Sequence, residues 1–289
     1  MSEISIVIVT YNSDHLIFDC LNSILSNNDI GEKLEIIIVD NCSKNTDVMF
    51  SKIKAHFKDR VRLIKNKFNN GYGAGNNIGI KAAASPFVMI MNPDVRLIEP
   101  IFIKVLTSFK KPKLALLGLK QMESPIKKRY SFGTLELGIV QEIQLKFFNW
   151  FDLFNQNVFC ISGACFFVRT EMMKEAGLFD EEIFLYGEER DLHVRLLKSK
   201  NFIIKFLPSL RYLHPKEHRE FSLNVHLAQF KSYLYWLKKN NYKVQPMLKK
   251  YKRLLQYKKF IALITKNMNK YIVYQELILK IKAETIYEQ

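Results

Sequence analysis

The chain of 289 residues has few cysteines and no long apolar run, and both absences exclude whole classes of protein. Its four cysteines are scattered, and the one close pair, Cys160 and Cys165, lacks the two-residue spacing of a zinc or thioredoxin-type site. No segment reaches the roughly 18 to 20 uninterrupted apolar residues of a membrane span, and no basic, signal-like region precedes the first strand-like run. We therefore expect a cytoplasmic protein with reduced thiols, soluble or held peripherally at the inner face of the cell membrane.

Acidic residues are also scarce, with 28 Asp and Glu against 44 Lys and Arg. The segment from Lys216 to Gln289 holds sixteen Lys or Arg and five Glu, so a net charge of +11 falls there and +5 on the first 215 residues. Such a tail could bind nucleic acid, anionic lipid headgroups or an acidic glycolipid. No recognisable nucleic-acid module is present, so nucleic acid is not an expected partner.

Aromatic residues interleave with lysines in this tail, around Tyr233, Tyr235, Trp236 and Tyr242. The mixture suits a membrane headgroup interface. An equally good interpretation is that these helices pack on the rest of the chain or on a second subunit, with the lysines facing water. A homo-oligomer therefore stays open.

Short β-branched apolar runs alternate with helix-like stretches over the first 120 residues, which predicts a mostly parallel sheet with crossover helices. The predicted strands are Ile4–Thr10, Leu34–Asp40, Val61–Asn66, Phe87–Met91 and Leu114–Leu119, and the predicted helices are Asp14–Ser26, Thr46–Phe57, Asn76–Ala84 and Glu99–Phe109. Ligands bind such sheets at the carboxyl ends of the strands. The polar residues gather there, after each of the first four predicted strands.

The second half of the chain is less regular. Residues 124–150 show little periodicity and are interpreted as a connecting or acceptor-facing segment. An apolar run from Val158 to Val168, interrupted at Ser162-Gly163-Ala164, is followed by an acidic helix start near Glu188. Helical spacing then predicts Phe221–Lys239, Val244–Thr265 and Met268–Ala283. We expect one α/β domain over residues 1–218 and a basic helical extension over 219–289.

Six segments occur in a fixed order, namely IVIVTYNS, IIIVDNCS, NNGYGAGNNIGI, MNPDV, SGACFFVR and FLYGEERDLHVRL. Together they resemble glycosyltransferase family 2, and most of all its rhamnosyltransferase-like bacterial members. The resemblance covers roughly residues 4 to 218, and it implies that the domain over residues 1–218 is the catalytic domain. It implies a GT-A fold, with a mostly parallel sheet flanked by helices, and transfer of a sugar from a UDP- or dTDP-sugar to a hydroxyl of a surface glycan or lipid-linked glycan, with inversion.

The resemblance implies a nucleotide site over the first strand ends. Asp40 would accept the N3 proton of uracil or thymine, because an ionised carboxylate only accepts. Glycines at alternate positions allow the backbone to approach a ligand closely, and the helix that follows could face an anion. The nucleotide-sugar-binding candidates are Thr10, Tyr11, Asn12, Asp40, Asn41, Asn69, Gly71, Gly73, Asn76 and Asn92.

The same family places a divalent metal, Mg²⁺ or Mn²⁺, at an Asp-x-Asp element, which here reads Asn92-Pro93-Asp94. Asp94 is then the single anionic ligand, and the substrate diphosphate would supply further oxygens. By resemblance His214 completes the metal site, and His218 is close enough to substitute.

An inverting transfer needs one general base, because a metal can stabilise the departing diphosphate. Family members usually carry Glu-Asp where this chain has Glu188-Glu189, so the role of the base passes to Glu189, with Asp191 in reserve. Asp191 and Arg195 also form an i, i+4 pair, which is a purely structural alternative.

Two functions other than sugar transfer remain as alternatives. A sugar nucleotidyltransferase would carry a glycine-rich segment where this chain has Val9-Thr10-Tyr11-Asn12, so it is disfavoured. A non-catalytic sugar-nucleotide or glycan-binding relative is suggested by Asn92 and Glu189, which depart from the family pattern.

Overall fold

The computed structural model describes residues 1–199, 202–216 and 221–286, with the backbone alone over 283–286. The chain forms two compact units. The first comprises Met1–Gly133, Cys160–Phe184 and Glu188–Lys216, and the second comprises Thr134–Phe159, Leu185–Gly187 and the described residues after 220. Segment 134–159 therefore clusters with the C-terminal helices, whereas the sequence assigned it to the catalytic domain. The boundary at residue 218 itself stays a prediction.

Ten strands are found in the described residues. An eight-stranded sheet has the order β3-β2-β1-β4-β9-β6-β10-β5, and β7 and β8 form a separate two-stranded sheet. Because β4 and β6 are both antiparallel to β9, and β10 is antiparallel to β5, six of the eight strands run in one direction. The strands are β1 Ile4–Thr10, β2 Leu34–Asp40, β3 Arg62–Lys65, β4 Phe87–Met91, β5 Arg96–Leu97, β6 Leu114–Met122, β7 Phe132–Thr134, β8 Phe159–Ile161, β9 Cys165–Arg169 and β10 Ile203–Leu213.

The described residues also form ten α-helices. They are α1 Asp14–Ser26, α2 Thr46–Phe57, α3 Tyr72–Ala82, α4 Phe102–Phe109, α5 Ile139–Trp150, α6 Thr170–Glu175, α7 Glu188–Lys198, α8 Leu223–Lys239, α9 Val244–Ile264 and α10 Met268–Ile286. None of the helices in these ranges is long and apolar enough to cross a bilayer.

The core of the first unit lies on the two faces of the large sheet. All seven residues of β1 are buried, as expected of a central parallel strand covered by helices on both sides. Ile4, Ile6 and Ile8 pack into the main apolar cluster with residues of α1 and α2. The crossover helices thereby fix the sheet and bring the carboxyl ends of β1, β2, β3 and β4 to one edge.

The second unit is built mainly from α5, α8, α9 and α10. Its interior is aromatic: Tyr233, Trp236 and Leu237 are at most 1% exposed, and the rings of Tyr233 and Tyr251 meet at 5.8 Å. Full burial of such side chains stabilises a fold by about 1.5–3 kcal/mol each. The idea that Tyr233 and Trp236 face a membrane is therefore wrong, because both lie in the core of this unit.

Three further expectations need correction. Residues 124–150 are not merely irregular, since they contain β7 and the twelve-residue helix α5. Strand β10 was not predicted, because Pro208 and a register shift between Leu207 and Arg211 break its alternation. Helix α3 begins at Tyr72, four residues before the predicted start at Asn76. The four cysteines are free, as expected.

Candidate active site

The ends of β1 and β2 are joined through Asp40, which is fully buried. The hydroxyl of Thr10 donates to Asp40 Oδ1 at 2.9 Å, and Ser43 donates its hydroxyl to the same oxygen at 2.6 Å. Asp40 Oδ2 accepts from the Ser43 N–H at 2.9 Å and from the Thr46 hydroxyl at 2.5 Å. Both carboxylate oxygens therefore already have donors within the protein, and Asp40 fixes the loop between β2 and α2.

The loop after β1 presents the exposed part of this edge. Tyr11 is 52% exposed, so its ring is accessible to a ligand. Asn12 adopts a left-handed backbone conformation with φ of 51°, which asparagine tolerates better than most residues. Its N–H donates to Ser43 Oγ at 2.7 Å, and its Oδ1 accepts from the Lys44 N–H at 3.1 Å. The loops after β1 and β2 are thus joined, with Tyr11 exposed to solvent and Thr10 fully buried.

The glycine-rich segment is shaped by close contacts within the protein. Gly71 has φ of 96°, and a Cβ there would overlap the carbonyl of Phe184, so glycine is needed on both grounds. The Asn41 amide donates to the Gly71 carbonyl at 2.9 Å and lies so near Gly75 that a Cβ there would be 2.8 Å away. Asn41 therefore ties the end of β2 to the start of α3.

The asparagines of α3 are mainly structural. Asn77 donates to the carbonyl of Phe179 and accepts the N–H of the same residue, at 2.9 and 3.0 Å, which pins the loop before α7. Asn76 is fully buried and donates to the Tyr72 carbonyl, while its Oδ1 has no partner. Asn69 caps the loop by accepting the Gly71 N–H at 3.2 Å. Of these, only Asn69 is partly exposed.

The two predicted metal ligands lie side by side, although 120 residues separate them in sequence. His214 Nε2 lies 3.0 Å from Asp94 Oδ2, and both side chains are about nine-tenths buried. The loop after β4 carries Asp94, and His214 follows β10, where its N–H donates to the Met122 carbonyl at 2.8 Å. His218 lies outside the described residues.

A divalent cation fits this donor set in part. Asp94 supplies carboxylate oxygen, and His214 supplies imidazole, whose Nδ1 is buried without a partner. In the described ranges no group of three or more His, Cys, Asp or Glu side chains is arranged to hold a metal. Two protein ligands suit a cation that takes its remaining oxygens from a substrate diphosphate and water. Asn92, two residues earlier, anchors the loop by donating its N–H to the Ala164 carbonyl at 2.9 Å.

Glu189 lies at the same edge, beside the turn before β9. A Cβ on Gly163 would be 3.6 Å from Glu189 Oε2, and the Tyr72 hydroxyl donates to the Gly163 carbonyl at 2.9 Å. Burial raises the pKa of Tyr72 well above its usual value, and the nearby carboxylates of Glu188, Glu189 and Asp94 raise it further. Tyr72 is thus within the electrostatic reach of both Asp94 and Glu189.

The other two acids of this helix start are placed differently. Asp191 is fully buried, and Arg195 Nε donates to its Oδ2 at 2.7 Å, which is the i, i+4 pair that the sequence offered as an alternative. Glu188 is 3% exposed and lies against Gly73, at 3.7 Å from the position of a Cβ there. Only Glu189 of the three is partly open to solvent. This geometry favours Glu189 over Asp191 as the group that meets a substrate.

Sequence reasoning overlooked three residues that organise the edge. Ser43 and Thr46 hold Asp40, and their spacing of three and six residues after an aspartate that ends a strand is a signal for such a turn. Tyr72 joins the glycine-rich segment to the Gly163 turn. No local pattern could have placed Tyr72 there, since 91 residues separate the two partners.

The sheet order and the strand-end loops define an α/β architecture in which the candidate residues, including Asp94 and His214, lie at one edge of the sheet. A sequence model of Glycosyl transferase family 2 matches residues 5–177, more than half of the chain. The chain belongs to this family.

Individual relatives are more distant. The hexosyltransferase Agl10 of low-salt glycan biosynthesis in Haloferax volcanii is 23% identical over 203 residues. That match covers 65% of this chain and 60% of the relative, so the chain spans less than two thirds of that protein's length.

Solved glycosyltransferase structures share the fold, which is GT-A. Staphylococcus aureus TarS 1-349 in complex with UDP superposes with a TM-score of 0.55 at 16% identity, covering 88% of this chain and 70% of that one. The mannosyltransferase PcManGT of Pyrobaculum calidifontis, in complex with GDP-Man and Mn²⁺, gives a TM-score of 0.63 at 12% identity, covering 98% of this chain and 86% of that one. At these identities the likeness establishes the architecture alone.

Proposed function

We propose that this glycosyltransferase moves a hexosyl or rhamnosyl group from a UDP- or dTDP-sugar to a hydroxyl of a surface glycan or lipid-linked glycan, with inversion and with the help of a divalent cation. One observation carries the proposal. The Asp94–His214 pair and Glu189, which lies beside Gly163, are found at the same edge of the sheet. The pKa of Tyr72 is raised first by burial and then by the carboxylates of Glu188, Glu189 and Asp94. The family membership and the hexosyltransferase relative agree with the reaction class.

Glu189 is the general base in this proposal. Its carboxylate takes the proton of the acceptor hydroxyl while that oxygen forms a bond to the anomeric carbon of the donor. The bond from the anomeric carbon to the diphosphate oxygen breaks with its electron pair, and the nucleoside diphosphate leaves. A single displacement inverts the anomeric configuration. One catalytic carboxylate suffices because the nucleoside diphosphate leaves as an anion, whose charge a bound cation would stabilise.

Tyr11, on the exposed loop after β1, is the side chain best placed to contact the nucleoside. The role first suggested for Asp40, acceptance of the pyrimidine N3 proton, would require it to exchange one of the donors that now hold it. We therefore propose that Asp40 acts through the shape of its loop. Backbone groups of that loop and the side chains of Tyr11 and Asn12 would then meet the base.

Asp94 and His214 would hold Mg²⁺ or Mn²⁺ together with the donor diphosphate. The cation supplies charge stabilisation for the leaving group when bound. Structural relatives were solved with UDP, and with GDP-Man and Mn²⁺. Since the protein offers two ligands, we expect weak cation binding without nucleotide and tighter binding with it.

The test combines a donor screen with one variant. UDP- and dTDP-sugars are first ranked by thermal stabilisation with and without Mn²⁺. With the best donor, Glu189→Gln should lower the turnover rate by about 10²- to 10⁴-fold and leave donor affinity within twofold. Glu182→Gln, the same change at an exposed neighbouring site, should leave the rate unchanged.

Two results would contradict the proposal in different ways. Turnover that survives in Glu189→Gln would place the base elsewhere. Donor binding without transfer or hydrolysis by the unmodified protein, for every donor screened, would favour the non-catalytic alternative.

A further inference from the structure

The second unit exposes apolar side chains around the turn between α9 and α10. Residues 263–270 are all exposed, and they include Leu263, Ile264 and Met268. Phe260, Ile261 and Ile272 extend this set on either side and are each at least 40% exposed. Isolated apolar residues on a surface are ordinary, but this many in one helical turn region call for a function.

Helix α5 exposes a second apolar group on one face. Val140, Ile143, Phe147 and Phe151 follow each other at intervals of three or four residues, so they share a face of the helix. Trp150 lies near the same stripe and is 72% exposed. The opposite side of α5, which includes Leu145, is buried against its own unit. The exposed stripe is therefore additional to the face that holds the helix in place.

Two ion pairs show that these two apolar groups lie at the same end of the unit. Lys250 contacts Glu136 at 3.1 Å, and Lys258 contacts Glu142 at 3.0 Å. Residue numbers rise together along both segments, so α5 and α9 run in the same direction. The aromatic end of α5, at Phe147 to Phe151, therefore lies towards the α9–α10 turn.

The α9–α10 side of this end carries charge of one sign, whereas Asp152 follows the C-terminal half of α5. Between Phe221 and Gln275 the sequence has twelve Lys or Arg and no Asp or Glu. Lys266 and Lys270 are exposed at the turn itself, and Lys259 sits close to it with its Nζ 3.0 Å from Gln275 Oε1. The apolar end thus has a cationic rim.

We propose that this end of the second unit, formed by the C-terminal half of α5 and the α9–α10 turn, docks on a lipid bilayer that carries anionic headgroups. The aliphatic and aromatic side chains enter the boundary between headgroups and acyl chains, and the lysines attract anionic lipid. Tryptophan at the edge of such a surface suits the interface. The surface lies in the second unit, so the inference stands apart from the proposed transfer reaction.

Two other occupants fit the chemistry less well. A second copy of the chain would bring lysine rims of like charge together, which disfavours association. A nucleic acid would match the charge, and the exposed rings of Phe147, Trp150 and Phe151 could stack on bases. The aliphatic side chains of the turn, Leu263, Ile264, Met268 and Ile272, offer bases neither a stacking face nor a hydrogen bond. A bilayer satisfies both the charge and the aliphatic surface.

The test measures binding of the full chain to vesicles by sedimentation. Vesicles of phosphatidylcholine alone are compared with vesicles of phosphatidylcholine and phosphatidylglycerol, at low and at high salt. The unmodified protein should bind the anionic vesicles, and more weakly as salt rises. The variant Ile264→Ser/Met268→Ser/Ile272→Ser should have an affinity for anionic vesicles at least about tenfold lower than that of the unmodified protein. Lys266→Gln/Lys270→Gln should lose about fivefold per lysine at low salt.

The control removes exposed apolar residues of the first unit instead, as Val48→Ser/Ile98→Ser/Ile103→Ser, and should bind vesicles as the unmodified protein does. Circular dichroism spectra and thermal unfolding curves that match those of the unmodified protein show that each variant is folded. Equal vesicle binding by the α9–α10 variant and the unmodified protein would overturn the proposal. Absence of vesicle binding, together with self-association that this variant abolishes in sedimentation velocity, would instead assign the surface to contacts between copies.

Discussion

The interiors of the two units differ in the interactions that hold them together. In the first, several side chains that are at most 2% exposed are polar, among them Asp40, Asn41, Asn77 and Asp191, and each has defined hydrogen-bond partners. In the second, the interior around Phe230, Tyr233, Trp236, Leu237 and Tyr251 is aromatic and aliphatic.

This difference has physical consequences. Hydrogen bonds between buried polar groups fix one arrangement of loops, and a partner left unpaired costs the full desolvation of that group. Apolar packing is less directional, so it tolerates changes that preserve volume. We therefore expect small chemical changes to be costly near the sheet edge of the first unit and mild in the core of the second.

The largest expected loss of stability comes from Asp191→Asn. The substitution keeps the shape but removes the charge that pairs with Arg195, so the free energy of unfolding should fall by about 3–5 kcal/mol. Urea denaturation followed by circular dichroism measures it. Asp47→Asn is the control, since Asp47 is 83% exposed and its pairing with Lys65 contributes less than about 1 kcal/mol. Similar losses for both would show that burial does not set the cost.

Gly71→Ala should follow, at about 3 kcal/mol, because it combines a left-handed backbone with a Cβ that overlaps the Phe184 carbonyl. Gly31→Ala also places alanine at a positive φ, of 58°, but with open space around the Cβ, and should lose about 1–2 kcal/mol. The same denaturation experiment compares them. Equal losses would mean that the contact with Phe184 does not constrain the loop.

The smallest effect is expected in the second unit. Leu237→Met exchanges one fully buried side chain for another of similar volume, so it should cost less than about 1.5 kcal/mol. Donor affinity, measured by calorimetry, should not change. A loss as large as that of Asp191→Asn would break the comparison between the two interiors.

Much of the first unit could be predicted from the sequence. Strands β1, β2 and β4 and helices α1 and α2 begin and end where their apolar spacing predicted. Such segments are buried on a regular period, so the pattern carries the signal. The strand-end position of the candidate residues followed from the parallel order alone.

The failures have identifiable causes. Helix α5 buries Leu145 on one side and exposes Val140 and Phe147 on the other, so no single apolar face was visible in its sequence. The start of α3 at Tyr72 was not predicted because Gly71, Gly73 and Gly75 surround it and glycine disfavours helices. The interior position of Tyr233 and Trp236 depends on partners from other helices, which no local pattern records.

The candidate site was predictable to a different degree. Its residues were found by resemblance to a family, and the contact between Asp94 and His214 then depends on the whole sheet. The internal hydrogen bonds of Asp40 could be anticipated only from Ser43 and Thr46. The roles in donor binding, metal binding and catalysis stay predictions for the experiments above and for the one that follows.

The most direct test of the metal-assisted nucleotide site is the calorimetric titration of UDP in the presence and absence of Mn²⁺. For the unmodified protein we expect Mn²⁺ to tighten UDP binding about tenfold or more. Asp94→Ala should remove that gain, while Asp19→Ala, a change at an exposed acid of α1, should retain it. An undiminished gain from Mn²⁺ in Asp94→Ala would contradict the assignment of this sheet edge as the metal-assisted site.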